Sequence, residues 1–252
     1  MKRYLDFKAP RRSTVTMQVH GDLRQRITTG ALKPKSSISE NEIAQYYGVS
    51  RTPAREVLGR LEEESLVEIY PQYGSFIAPI RAEDILDSQF VRESLECTAL
   101  AGAIERLTPA GEAQLAGIIA SQRKVVADDE AAFVMHDEEM HASFFALAGY
   151  ERAWAVVASA KLQLDRLRHL SARSTEKRLA VLAEHEAIVT AALGRDAAGA
   201  VSALRQHLRG AFASLADAQA RYPEFFAEIG NPRPPSTKVP LDRPKNLATE
   251  LA

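Results

Sequence analysis

The chain has 252 residues, 46 % of them hydrophobic and 26 % charged, a globular composition that needs neither a disulfide nor a metal merely to fold. Its single cysteine, Cys97, excludes an intrachain disulfide, and no apolar run reaches the length of a signal-peptide core or a bilayer span. Secreted disulfide scaffolds, collagens and membrane-spanning chains are thereby excluded, and a cytoplasmic protein is expected. The net charge of −1 is unevenly spread: residues 1–60 carry twelve Lys/Arg against five Asp/Glu, a balance of +7, which leaves −8 for the rest. A basic first quarter on an acidic body points to polyanion contact at the front.

In chain order, Val15, Val19, Leu23 and Ile27 recur every fourth residue, predicting an amphipathic helix that ends at Gly30. Ser39 and Glu42 form a capping box that opens a short second helix, closed by Gly48. Ser50 can cap a third helix, and Pro53 falls in its first turn, where a missing N–H costs nothing. Val57, Leu58 and Leu61 supply that helix's inward face up to about Glu64. Val67–Tyr70 and Ser75–Pro79, on either side of Gln72-Tyr73-Gly74, predict a small hairpin. This order is a winged helix-turn-helix over residues 11–80. The tight turn Gly48-Val49-Ser50 leaves the N-terminus of the third helix exposed. Arg51 and Arg55 then share one face at the positive helix end, suited to phosphates and guanine edges, with Thr52 beside them.

Residues 83–226 are Ala/Leu-rich and predict six helices: one beginning with Leu86, Phe90 and Leu95, one opened by Thr108-Pro109, and four more near 130–148, 151–171, 174–193 and 197–220. They form an antiparallel all-helical bundle. The tail from Asn231 holds five of the twelve prolines and reads as disordered over 231–252. The fold class is therefore mainly α, a winged helix-turn-helix followed by a helical bundle.

Among the six histidines, His141 stands four residues after Asp137, about 40° around a helix and within an apolar stripe of Phe133, Met140, Phe144 and Phe145. His136 lies about 140° from His141 and cannot share its face. His185 is flanked by Val181, Leu182, Ile188 and Val189 and also looks inward. His207 borders the stripe Val201, Leu204, Leu208, Ala211 and Leu215. Burying such groups unpartnered would cost about 1–3 kcal/mol each, and convergence on one cation removes most of that cost. Three imidazoles and a carboxylate suit Zn, taken first, with Ni, Mn, Co and Fe as alternatives.

The stretch from Leu32 to Ile80, above all Gly48-Val49-Ser50-Arg51-Thr52-Pro53-Ala54-Arg55-Glu56, resembles the DNA-binding domain of the GntR family of bacterial transcription regulators. The helical remainder resembles the FCD sensor domain of the FadR-type subgroup. The resemblance implies a DNA-facing set of Ser50, Arg51, Thr52 and Arg55, with Asn41 and the wing-tip Gly74. It also implies a metal set of Asp137, His141, His185 and His207, and pairing of Arg92 with a carboxylate effector. The implied function is a homodimeric regulator, a repressor by the commoner mode of the family, on pseudo-palindromic operator DNA. Its affinity would be controlled by a small organic or sugar acid at the metal. Three departures from the family pattern stand out. Pro34-Lys35 replaces Pro-Gly, Asn41 stands where arginine is frequent, and Gly149-Tyr150 replaces Gly-Asn, which would reshape the pocket wall. No P-loop, GxGxxG, CxxC pair or GxSxG elbow is present.

Two other functions remain open on the residues alone. A metalloenzyme would need a base from Glu138, Glu139, Glu184 or Glu186, each of which faces about 100° or more from its neighbouring ligand. A helical interaction module would use the histidines structurally.

Overall fold

The computed structural model describes residues 11–171 and 174–227, so the proline-rich tail falls outside the described residues. The chain divides into two compact units, one ending at Pro79 and the other spanning Ile80–Phe226.

In the first unit, α1 (Arg11–Thr28), β1 (Ser37–Ile38), α2 (Glu40–Tyr47), α3 (Arg51–Glu63), β2 (Val67–Tyr70) and β3 (Gly74–Ile77) follow in order. The strands form a three-stranded antiparallel sheet in the order β1-β3-β2, with Ile38 opposite Ser75 and Glu68 opposite Phe76. The sheet therefore exceeds the expected hairpin by one short strand. The core joins Val19, Leu23 and Ile27 of α1 to Ile43 of α2 and Val57, Leu58 and Leu61 of α3. Val15, one turn nearer the start of α1, is 41 % exposed and lies outside that core, contrary to the expected stripe.

Ser39 caps α2 by accepting from the Glu42 amide at 3.2 Å, and its hydroxyl donates to the Glu42 carboxylate at 2.7 Å. Gly48 ends α2 in the left-handed region at φ +64°, which releases the chain into the tight turn. Ser50 occupies the N-cap of α3 with an extended backbone, but its side chain makes no cap hydrogen bond, so the expected capping role fails. Lys35 sits at φ +67°, where the family's glycine would carry no strain.

The second unit holds α4 (Ala82–Glu105), α5 (Pro109–Val125), α6 (Glu130–Ala148), α7 (Glu151–Ala160), α8 (Leu162–Ser171), α9 (Thr175–Leu193) and α10 (Ala197–Arg221). Seven helices among the described residues replace the expected six, because the segment from 151 to 171 breaks at Lys161. The physical reason lies in the neighbours. Ser88 of α4 donates to the Ala160 carbonyl at 2.6 Å, and Lys161 Nζ is drawn between Glu138 and Asp165 at 2.7 Å from each.

The apolar core of this unit gathers Leu100, Ile104, Leu115, Met140, Phe144, Phe145, Ile188, Leu204 and Leu208, with Cys97 buried at its edge. Ile80 donates to the Phe225 carbonyl at 2.8 Å, and Phe225 and Phe226 pin the end of α10 against Ile85, Leu164 and Leu167. The face that α4 buries is Ile85, Gln89, Arg92, Glu96 and Leu100; Leu86 and Phe90, near its start, are 52 % and 74 % exposed. No helix among the described residues is long and apolar enough to cross a membrane.

Candidate functional site

Asp137 and His141 on α6, His185 on α9 and His207 on α10 each present one ligand-type atom, and all four atoms lie within 4.8 Å of one another. Their outer nitrogens are fixed by side chains from other positions. His141 Nδ1 donates to Glu96 Oε2 at 2.6 Å, His185 Nδ1 to Gln122 Oε1 at 2.8 Å, and His207 Nδ1 to Glu184 Oε2 at 2.7 Å. Gln122 Nε2 donates to the His136 carbonyl at 3.0 Å, which turns its oxygen toward His185. With every Nδ1 carrying its hydrogen, each Nε2 presents a lone pair inward.

The centre so formed is rich in acceptors. His185 Nε2 is 3.4 Å from His207 Nε2 and 3.5 Å from Asp137 Oδ1. His141 Nε2 and Asp137 Oδ1 are buried without a hydrogen-bond partner. A proton could bridge only part of this set, and burial, reinforced by His207, pushes His185 well below its ordinary value. Burial likewise lowers His207. Asp137 is held ionised: burial opposes its charge, but Arg168, which bonds Oδ2, together with His185 and His141, keeps it below the usual carboxylate range. Inward-facing imidazole nitrogens and an anionic carboxylate converging on one point fit a divalent metal. When bound, such an ion supplies a Lewis-acid anchor for an anionic oxygen.

Glu96, fully buried, joins two roles. Its Oε1 accepts from Arg92 Nε at 2.6 Å while its Oε2 holds His141. Burial opposes its charge, yet Arg92 and His141 bring its pKa down to about 2. Arg92 is 4 % exposed and lines a cavity of about 420 Å³ together with Asp137, Arg168, Glu184 and His207. Tyr150 does not border this cavity among the described residues. The Arg106 guanidinium lies over its ring at 5.7 Å from the centroid, so the Gly149-Tyr150 departure falls outside the cavity lining.

The four glutamates weighed as bases are each paired, three of them away from the centre and Glu184 with a candidate ligand. Glu138 pairs with Lys161, Glu139 with His136, Glu186 with Arg123, and Glu184 with His207. Glu96, Gln122, Glu184 and Arg168 are the functional residues that sequence reasoning missed as supports, because each serves a histidine or aspartate on a different helix.

In the first unit, Arg51, Thr52 and Arg55 are exposed in the first two turns of α3, with Asn41 exposed on α2. Arg55 donates to Glu40 of α2 at 2.7 Å through Nε and at 3.4 Å through Nη2. This pair aims the guanidinium, and a phosphate or guanine would have to replace Glu40 as its partner. Gly74 lies at φ +128° beside Tyr73, which is 76 % exposed at the wing tip.

A DNA-binding winged helix joined to a helical domain with a metal-competent centre defines a class of transcription regulator. The description "Bacterial regulatory proteins, gntR family" matches residues 16–77, and the FCD domain matches residues 87–210. An HTH-type transcriptional regulator in an unstable DNA locus of Streptomyces ambofaciens is 37 % identical over 205 residues, covering 81 % of this chain and 86 % of the relative. The HTH-type transcriptional repressor RspR of Escherichia coli K12 is 28 % identical over 218 residues, covering 85 % and 94 %. Among solved structures, E. coli McbR/YncC superposes with a TM-score of 0.67 at 20 % identity, covering 81 % of this chain and 97 % of that one. A GntR regulator from Rhodococcus sp. RHA1 gives 0.68 at 24 %, covering 81 % and 99 %, and both structures share the fold. The chain belongs to the GntR family of bacterial transcriptional regulators and carries an FCD domain; the family regulates transcription and is not one of enzymes.

Proposed function

We propose that this regulator is a homodimeric repressor whose affinity for a pseudo-palindromic operator is set by a carboxylic acid bound beside a divalent metal. Asp137, His141, His185 and His207 hold the metal, zinc first by its preference for this donor set. Arg92 meets the acid, since a guanidinium takes a carboxylate through parallel hydrogen bonds. The observation that carries the reading is the convergence of acceptor atoms, two of them buried without partners, at the edge of a cavity that Arg92 also lines. The E. coli relative named as a repressor supports the sign.

Residues 11–80 then read DNA through Ser50, Arg51, Thr52 and Arg55, with Asn41 and Gly74 flanking, and residues 83–226 sense and dimerise. Dimerisation uses the exposed Leu86, Phe90 and Phe212 on α4 and α10, where Glu93 sits between Arg205 and Arg209. A surface with both charge signs around apolar residues is self-complementary under a two-fold axis. The acid acts by favouring one spacing of the two recognition helices, because a ligand that binds both states equally shifts neither.

A thermal-shift screen against organic acids tests this, run metal-loaded and chelator-stripped, with His141→Ala and Arg92→Ala alongside. A native-state ligand at a hundredfold excess over Kd stabilises by about 2.7 kcal/mol. The proposal expects a shift that is lost without metal and in both variants. A shift that survives stripping and both substitutions would contradict it.

A further inference from the structure

The cavity beside the metal residues is long, and its chemistry changes along it. His207, Glu184, Arg92, Asp137 and Arg168 mark one end. Lys177, Arg178, Asp217 and Arg221 mark the other, with Lys177 Nζ 2.6 Å and Arg221 Nε 2.8 Å from the Asp217 carboxylate. From His207 to Asp217 α10 advances ten residues, about 15 Å. Between these ends the wall is Phe133 and Val134 of α6, Leu164 and Leu167 of α8, Val181 of α9 and Leu208 of α10. Among the described residues, Ser214 is the one hydroxyl in the lining. The backbone there is helical and spends its polar groups on its own ladder.

We infer that the effector is a carboxylic acid with an apolar alkyl or aryl body, and not a polyhydroxylated sugar acid or a three-carbon acid. This rests on the acid-at-the-metal reading above and narrows it. A cavity of about 420 Å³ is of the size that takes a drug-sized ligand, so a three-carbon acid would leave most of its wall without contact. A sugar acid fills the volume but turns its middle hydroxyls onto phenylalanine, leucine and valine, while the charged groups at the two ends are already paired within the protein. An apolar body instead gains the contact that these side chains offer, while the carboxylate stays at the Arg92 end.

The test is isothermal titration of the zinc-loaded full-length chain with 4-phenylbutanoate, gluconate and lactate, the first two being nearly equal in size and charge. The inference expects 4-phenylbutanoate to bind about tenfold or more tighter than either competitor. Val181→Thr, which keeps the side-chain shape, should weaken 4-phenylbutanoate several-fold and leave gluconate no weaker. Arg92→Ala should abolish the binding. Gluconate or lactate binding tightest would overturn the apolar body and leave the acid-at-the-metal reading standing. Binding of 4-phenylbutanoate that both substitutions leave intact would place it elsewhere and overturn the inference. If none of the three acids binds, the underlying reading falls, and the inference with it.

Discussion

Glu96 on α4 lies 2.6 Å from His141 on α6, and its second oxygen lies 2.6 Å from Arg92. One buried carboxylate thus sets the tautomer of a candidate metal ligand and holds the guanidinium proposed to meet the effector. Removing its charge should disturb both. Glu96→Gln is expected to lower zinc affinity by about 10–100-fold, read by chelator competition. His136→Gln, on the same helix as His141 but paired with Glu139, should leave that affinity unchanged. Equal losses in the two variants would mean that the site is not built as described.

In the proposed reading the exposed arginines at the start of α3 carry the DNA contact. Arg55→Ala should weaken operator binding by about tenfold or more, measured by fluorescence anisotropy on a selected genomic fragment. Asn41→Arg restores a cation where the family often has one, and each added phosphate contact steepens the salt dependence by about 0.9 in log–log slope. An unchanged slope in Asn41→Arg would show that this position faces away from the backbone of the DNA.

Phe90 is 74 % exposed and Leu86 52 %, on a helix whose opposite face is fully packed. Phe90→Asp should convert the proposed dimer to a monomer in sedimentation velocity without loss of helical signal. A variant that remains dimeric would move the interface off α4.

How much of this was legible depends on whether a feature is local. Asp137, His141 and His185 declared themselves through helical spacing and aliphatic flanks, and the helix-turn-helix through Ser39, Gly48 and the short turn after it. Glu184 did not, because its angle was judged against His185 on its own helix, whereas it serves His207 on α10 at 2.7 Å. Glu96 and Gln122 are equally invisible along the chain, since each reaches a histidine at least 45 residues away. The inward face of α4 is hidden for a related reason: it buries the polar Gln89, Arg92 and Glu96, while the apolar Leu86 and Phe90 are exposed. The break at Lys161 follows from Ser88 of α4, a contact that no local pattern carries.

Acidity should also act away from the centre. Burial lowers His169 from its ordinary value, so the folded chain resists a proton that the unfolded chain accepts. Stability is then fully present above the unfolded pKa of about 6.5 and falls as pH drops below it toward the lowered folded value. His169→Gln should flatten that part of the pH profile in urea unfolding. A profile identical to the wild type would assign the acid sensitivity to other groups.

The most direct measurement is metal content by mass spectrometry after loading with zinc and exhaustive dialysis, on the wild type and on His141→Ala, His185→Ala and His136→Gln. One metal per chain is expected in the wild type and in His136→Gln, and a loss of it in the other two. A well-folded wild type that retains no stoichiometric metal, or retention in all variants alike, would contradict a metal centre at Asp137, His141, His185 and His207.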